Sequence, residues 1–215
     1  MMRQIVFWRH GRTVWNAEQR FQGQLDIDLD DIGREQAARA AAMLATLRPT
    51  NIVSSDLKRA HDTAKSLGDL VGIEPTLDEG LRETYAGIWQ GMTRKEIEAQ
   101  YGDEMEQWAA AVNIRPGGDG ETRLEVSERM VAAIERALTK VPDDGMLVVV
   151  SHGGATRVGI GAMLGLPQEY WTTLGVLGNC AWAVLQEQPG NYGSKWRLHE
   201  FNAGTLPEPT FADDR

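Results

Sequence analysis

The chain has 215 residues, 42% hydrophobic and 25% charged, enough to bury one sizeable core and typical of a globular protein rather than a disordered one. A formal net charge of -9 excludes a general nucleic-acid or anionic-membrane surface, although a few arginines focused in one cleft can still hold an anion. The single cysteine, Cys180, excludes an intrachain disulfide framework and a thiolate zinc cluster, and is expected to be a small buried side chain.

Met1 Met2 Arg3 Gln4 leads directly into the apolar run Ile5 Val6 Phe7 Trp8. That run is too short for a signal-peptide core, and no stretch reaches the roughly 18 continuous apolar residues of a membrane span. The expectation is a cytoplasmic protein. Residues 5–8 read as a buried strand that stops at Arg9 His10 Gly11. Asp30 and Asp31 are candidate caps for a helix in which Ile32, Ala37, Ala40, Ala41, Leu44 and Leu47 recur at helical spacing before Pro49. Residues 51–53 form a second short strand, followed by a helix through Leu57, Ala60, Ala64, Leu67 and Val71.

Residues 82–120 are irregular and rich in Gly, Glu, Gln and Trp, with weak helices near 94–100 and 104–110. They look like a cap-like excursion from a single domain spanning residues 1–215. An amphipathic helix follows over 121–141, with Val126, Met130, Val131, Ile134, Leu138 and Val141 on its apolar face. Residues 146–150 are the strongest strand and run into Ser151 His152 Gly153 Gly154, after which helical spacing resumes over 156–164. Late strands at 182–186 and 195–201 are joined by a Pro-Gly-Asn turn, and the tail beyond Asn202 reads as surface coil. Strands alternating with helices imply an α/β fold with a mostly parallel sheet covered on both faces.

Arg9 with His10, Arg59 and His152 all follow strands, and the carboxyl ends of parallel strands share one edge where ligands bind. A phosphate monoester offers three peripheral oxygens and nearly two negative charges. Two guanidiniums match that group with planar, charge-assisted hydrogen bonds. Gly11 and Gly153 let main-chain N–H groups approach the anion. A neutral imidazole can attack phosphorus, dividing one hard displacement into two easier ones through a phosphohistidine. The leaving alkoxide then needs a proton, and Glu83 is the candidate donor if its carboxyl is screened from water. His61 and His199 lack such neighbours and are read as structural, as Trp8 and Trp182 are read as core.

Four segments together resemble the histidine phosphatase superfamily in its phosphoglycerate-mutase-like branch: residues 7–13 with Trp15 and Asn16, residues 54–60 with Thr63 and Ala64, residues 81–83 with Gly87, Trp89 and Gly91, and residues 150–154. The resemblance covers essentially the whole chain. It implies a three-layer α/β/α sandwich and no metal or other cofactor. By position it makes His10 the phosphate acceptor and Glu83 the proton donor. Arg9, Arg59 and His152 then surround the phosphate, and Asn16, Gln22 and Gly23 line the same pocket.

That family holds both mutases and phosphatases. The run from Leu81 to Gly91 and the compact chain resemble the phosphatases, and the mutases' Asn-Ile-Pro-Thr-Gly segment is replaced by residues 177–182. A cofactor-dependent phosphoglycerate mutase and a non-catalytic phosphate-binding module are the alternatives, the second disfavoured because Arg9, His10, Arg59, Glu83 and His152 are all present. Residues 178–182, with Trp196, Arg197, Leu198 and Asn202, resemble the glucosyl-3-phosphoglycerate phosphatases of actinobacteria. The substrate implied is thus a small sugar or glycerate phosphate. Residues 115–122 depart from the family's Gly-Gly-Glu-Ser pattern where a loop is expected to border the substrate. The resemblance also implies a homodimer.

Overall fold

A computed structural model describes residues 2–190 and 194–205. Six strands, β1 (Gln4–Arg9), β2 (Asn51–Ser54), β3 (Thr76–Leu77), β4 (Met146–Ser151), β5 (Trp182–Glu187) and β6 (Trp196–Ala203), form one sheet in the order β3-β2-β4-β1-β5-β6. Pairings from β3 to β1 are parallel, while β5 and β6 add an antiparallel edge. The expected α/β architecture is observed.

Successive residues of a strand point to opposite faces, so a strand covered on both sides must be apolar throughout. The three central strands obey this rule. Ile5, Phe7, Leu147, Val149, Ala183 and Leu185 enter one core, and Val6, Trp8, Val148, Val150, Trp182 and Val184 enter the other. Helices α2 (Asp31–Ala45) and α3 (Lys58–Val71) cover the second face through Ala37, Ala40, Ala41, Leu44, Ala60, Ala64 and Leu67. The alanines add little apolar area but let the two helices approach closely. Helices α5 (Arg123–Leu138) and α6 (Gly153–Met163) cover the first face through Val126, Met130, Ile134, Ala155, Val158 and Ile160. The remaining helices are one turn, α1 (Val14–Ala17), and α4 (Arg94–Ala109).

Boundaries differ from the sequence reading for identifiable reasons. Asp30 Oδ1 accepts from Gly33 N at 2.7 Å, so Asp30 caps α2 and Asp31 lies inside it. Ile32 and Leu47, read as part of the apolar face, are 40% and 45% exposed, and Leu47 lies beyond the helix end. The 121–141 helix is shorter because Thr122 and Glu125 form a reciprocal capping box, which sets its start at Arg123. The two weak helices are both present within Arg94–Ala109 (α4), separated by a non-helical Tyr101 (φ -136°, ψ 37°) beside Gly102. Helix α6 starts at Gly153, three residues before the apolar periodicity, because glycines there carry no pattern. Helix α1 and strand β3 are too short for periodicity to reveal. Strand β6 runs on to Ala203, and residues 206–215 of the tail and Asn191 of the turn lie outside the described residues. Among the described residues, no helix is long and apolar enough to cross a membrane.

Candidate active site

Register alone brings the predicted residues together. Arg9 is the partner of Ser151 and Ser54 of Val150, so β1, β4 and β2 end side by side with β4 in the middle. Neighbouring strands lie about 4.8 Å apart. His10 and His152, each one residue past its strand, therefore meet with ring centroids 5.1 Å apart. Backbone bonds extend the ladder one step further: His10 N donates to Ser151 O and Ser55 N to Val150 O.

The cavity above this edge has a volume of about 330 Å³ and is lined by six arginines (Arg9, Arg20, Arg59, Arg94, Arg123, Arg157) but a single carboxylate, Glu83. A chain of net charge -9 thus concentrates positive charge at one place. His10, Asn16, Gln22, Gly23 and Gly153 line it as well.

His10 is 2% exposed, more enclosed than a strand end near the surface suggests. Its Nδ1 lies 2.7 Å from Gly11 O. A carbonyl only accepts, so Nδ1 carries the proton and the lone pair sits on Nε2. Burial, and then the charges of Arg59 and Arg9, hold this imidazole well below its ordinary 6.5. The Asn179 amide donates to His10 O at 3.1 Å and to Asn16 Oδ1 at 3.3 Å, tying the segment from below. His152 is fully buried, with Nε2 2.9 Å from Ser55 Oγ. Burial, then Arg59 and His10, likewise hold it well below 6.5. Both rings are neutral at neutral pH.

Arg59 is completely buried, and burial lowers its pKa to about 10, so it stays charged near neutrality. Its two terminal nitrogens donate to Leu25 O and Gly23 O at 2.8 Å each, which fastens the 22–25 loop over the cavity. Gly23 has φ +53° and an added Cβ would lie 2.1 Å from Gln90 Oε1, so a larger residue there would be strained and would displace the Gln90 side chain. Gln22 Oε1 accepts from Thr13 Oγ1 at 3.1 Å, and Thr13 caps the α1 turn that carries Asn16. Arg9 Nη1 donates to Leu177 O at 2.7 Å, and a Cβ on Gly153 would press within 3.3 Å of the Arg9 guanidinium carbon.

Three expectations need correction. Gly11 does not line the cavity, and its N–H donates to Thr63 Oγ1 at 3.1 Å rather than facing an anion. Its lack of a side chain serves packing, since a Cβ there would sit 2.4 Å from Gly33 O. Glu83 is half-buried rather than screened from water. Its carboxylate accepts from Thr84 N (2.8 Å), Gly154 N (3.0 Å) and Ala155 N (2.8 Å), the last two at the amino end of α6. The 115–122 loop does not line the cavity either; it packs under the 86–89 turn, where a Cβ on Gly117 would meet Ala86 O at 2.3 Å.

Several contributors escaped sequence reasoning. Ser55 holds His152, Thr63 holds Gly11, and Arg129 donates to the carbonyls of Gly80, Arg82 and Glu83 while pairing with Glu121. Ser55 and Thr63 lay inside a segment singled out for its resemblance, and only their partners were illegible. Arg129 had no signal, sitting on the polar side of an amphipathic helix. The outer wall was missed too: Trp108, Met105 and Phe21 line the cavity, with Trp89 and Trp108 packed edge-on at 6.4 Å. His61 is half-buried, His199 is exposed, and neither lines the cavity.

A glucosyl-3-phosphoglycerate phosphatase of Mycolicibacterium vanbaalenii is 42% identical over 215 aligned residues, 94% of this chain and 95% of that one. A mycobacterial glucosyl-3-phosphoglycerate phosphatase, solved in complex with VO3, superposes with a TM-score of 0.86 at 38% identity, covering 94% of this chain and 100% of its own. A probable phosphoglycerate mutase of Enterobacter sp. (strain 638) is 38% identical over 77% of each chain. The sequence model of the Histidine phosphatase superfamily (branch 1) matches residues 5–204. The chain belongs to the histidine phosphatase superfamily, branch 1, and is a phosphoric monoester hydrolase.

Proposed function

We propose that the enzyme hydrolyses a phosphorylated sugar or glycerate, such as glucosyl-3-phosphoglycerate, through a phosphohistidine on His10 and without a metal. The observation that carries this reading is the bond from His10 Nδ1 to the Gly11 carbonyl, which leaves a neutral ring with its lone pair on Nε2 in a cavity of arginines.

In the first step Nε2 attacks phosphorus, the bond from phosphorus to the ester oxygen breaks, and Glu83 delivers a proton to the departing alkoxide. In the second step water attacks the phosphohistidine, Glu83 accepts a proton from it, and inorganic phosphate leaves His10. Arg9 and Arg59 bind the peripheral oxygens in both steps, and charge developing on them is stabilised by donors already in place. His152 donates to the transferred group from beside His10. Asn16, Gln22, Gly23 and Gly153 complete the phosphate pocket.

Residues 82–120 act as a cap on a single domain, a reading supported by their own small core of Ala86, Trp89, Ile97 and Met105. The reading extends to a homodimer in the cytoplasm, checked by light scattering and by cell fractionation.

The test is turnover of p-nitrophenyl phosphate and of glucosyl-3-phosphoglycerate by purified protein in excess chelator, with acid quench to trap the phosphoenzyme. Hydrolysis of both with a trapped phosphohistidine is the expected result. Activity only after metal addition, or isomerisation of phosphoglycerate without phosphate release, would overturn it.

A further inference from the structure

The lining arginines differ in what satisfies them. Arg20 pairs with Glu18 at 2.6 Å, Arg94 pairs with Glu98 at 2.7 Å, and the Arg123 guanidinium lies 4.0 Å from the Trp108 ring centroid. Arg9 and Arg59 belong to the phosphate end. Arg157 also lines the cavity and is half-buried, yet among the described residues no carboxylate lies within ion-pairing distance of it, and its Nε, like that of Arg59, is shielded from solvent without a hydrogen-bond partner. A partly desolvated guanidinium in that state is unfavourable until an anion arrives.

Its place on α6 sets what that anion can be. Gly153, Gly154 and Arg157 share the cavity-facing side of the helix, and four residues advance the axis by about 6 Å. Helical side chains lean toward the amino end, which in α6 is the end where Gly153 borders Arg9 and Gly154 borders Glu83. Arg157 thus lies one turn along α6 from the glycines that border Arg9 and Glu83, and a guanidinium is a planar set of donors that suits a carboxylate.

We propose that Arg157 forms a second anion subsite that receives a carboxylate carried by the substrate a few bonds from its phosphate. This rests on the phosphatase reading of the cavity and narrows its substrate class to phosphorylated carboxylic acids.

The experiment compares kcat/KM for 3-phosphoglycerate and glycerol 3-phosphate, which share the phosphate and differ in the carboxylate, in the parent, Arg157→Met and Arg157→Lys. A charge-assisted contact of this kind is worth about tenfold or more. The parent should prefer the carboxylate-bearing ester by that factor, Arg157→Met should bring the ratio close to one, mainly through KM, and Arg157→Lys should keep part of it. A ratio is insensitive to partial misfolding, which lowers both activities alike. A ratio unmoved by Arg157→Met, or a parent with no preference, overturns the subsite. If the parent turns over neither ester nor p-nitrophenyl phosphate, the phosphatase reading fails. Calorimetric binding of the same two ligands to parent and Arg157→Met then gives the ratio without turnover and decides on Arg157 separately.

Discussion

The two ends of the cavity are built on different physical terms. The phosphate end hangs on the carboxyl ends of β1, β2 and β4, where His10, Arg59 and His152 are at most 2% exposed and held by backbone or hydroxyl partners. The outer end is made by Arg20, Phe21, Arg94, Met105, Trp108 and Arg123, around a small apolar cluster, and its arginines mostly pair with nearby acids. Groups that must meet a transferring phosphoryl within a fraction of an ångström belong on a rigid sheet edge. Groups that tell one ester from another need only shape and charge, and can sit on an excursion that varies without disturbing the sheet. Changes at the inner end should therefore fall on kcat, and changes at the outer end on KM.

Five measurements can break or sharpen that division. His10→Ala should reduce turnover by about 10⁴-fold or more and abolish the acid-labile phosphoenzyme, because no other group supplies the nucleophile. Retained turnover with a trapped phosphoenzyme would move the nucleophile elsewhere. Arg59→Lys keeps the charge but cannot span Gly23 O, Leu25 O and a phosphate oxygen at once. A loss of about 10²-fold, mostly in kcat, is expected, and near-parental kinetics would reduce Arg59 to a loop fastener.

Glu83→Gln separates proton donation from shaping. An alkyl phosphate should lose about 10²-fold, whereas p-nitrophenyl phosphate, whose leaving group departs unaided, should lose much less. Equal losses on both esters would pass the proton to another acid. At the outer end, Trp108→Ala removes the ring under Arg123 and should raise KM for a glycosylated substrate by roughly tenfold, with a smaller change in kcat. A collapse of kcat instead would show that the outer wall takes part in the chemistry.

The smallest effect is on stability. His10 and His152 are held well below 6.5 in the folded protein, so the unfolded chain binds protons first as pH falls. Their contribution is complete above about pH 6.5 and is lost below it, by at most about 1.4 kcal/mol per pH unit for each ring. The melting temperature should decline between pH 6.5 and 5, and less steeply in a His10→Gln variant. A slope unchanged by that substitution would place the acid sensitivity in other groups.

How much could be read beforehand follows the same division. The strands were legible because a strand covered on both faces is a continuous apolar run, as in residues 5–8 and 146–150. That Arg9, His10 and His152 meet at one sheet edge was legible because each stands at the end of such a run. Leu47 was misread because helical spacing continues into a turn that points outward, and Gly11 because a glycine for packing looks like a glycine for ligand approach. The outer wall had no period of its own, and Arg129 looked like any solvent-facing arginine on an amphipathic helix.

Sequence by itself determined the residue types, their order and the places where strands must stop, since those follow from apolar runs, caps and glycines acting over a few residues. Only the tertiary structure decided which strand lies between which. That order seats His152 between His10 and Ser55, turns the Glu83 carboxylate onto the amino end of α6, and sets Arg157 on the cavity wall. Such decisions depend on contacts between residues 71 to 142 positions apart, which no local pattern encodes.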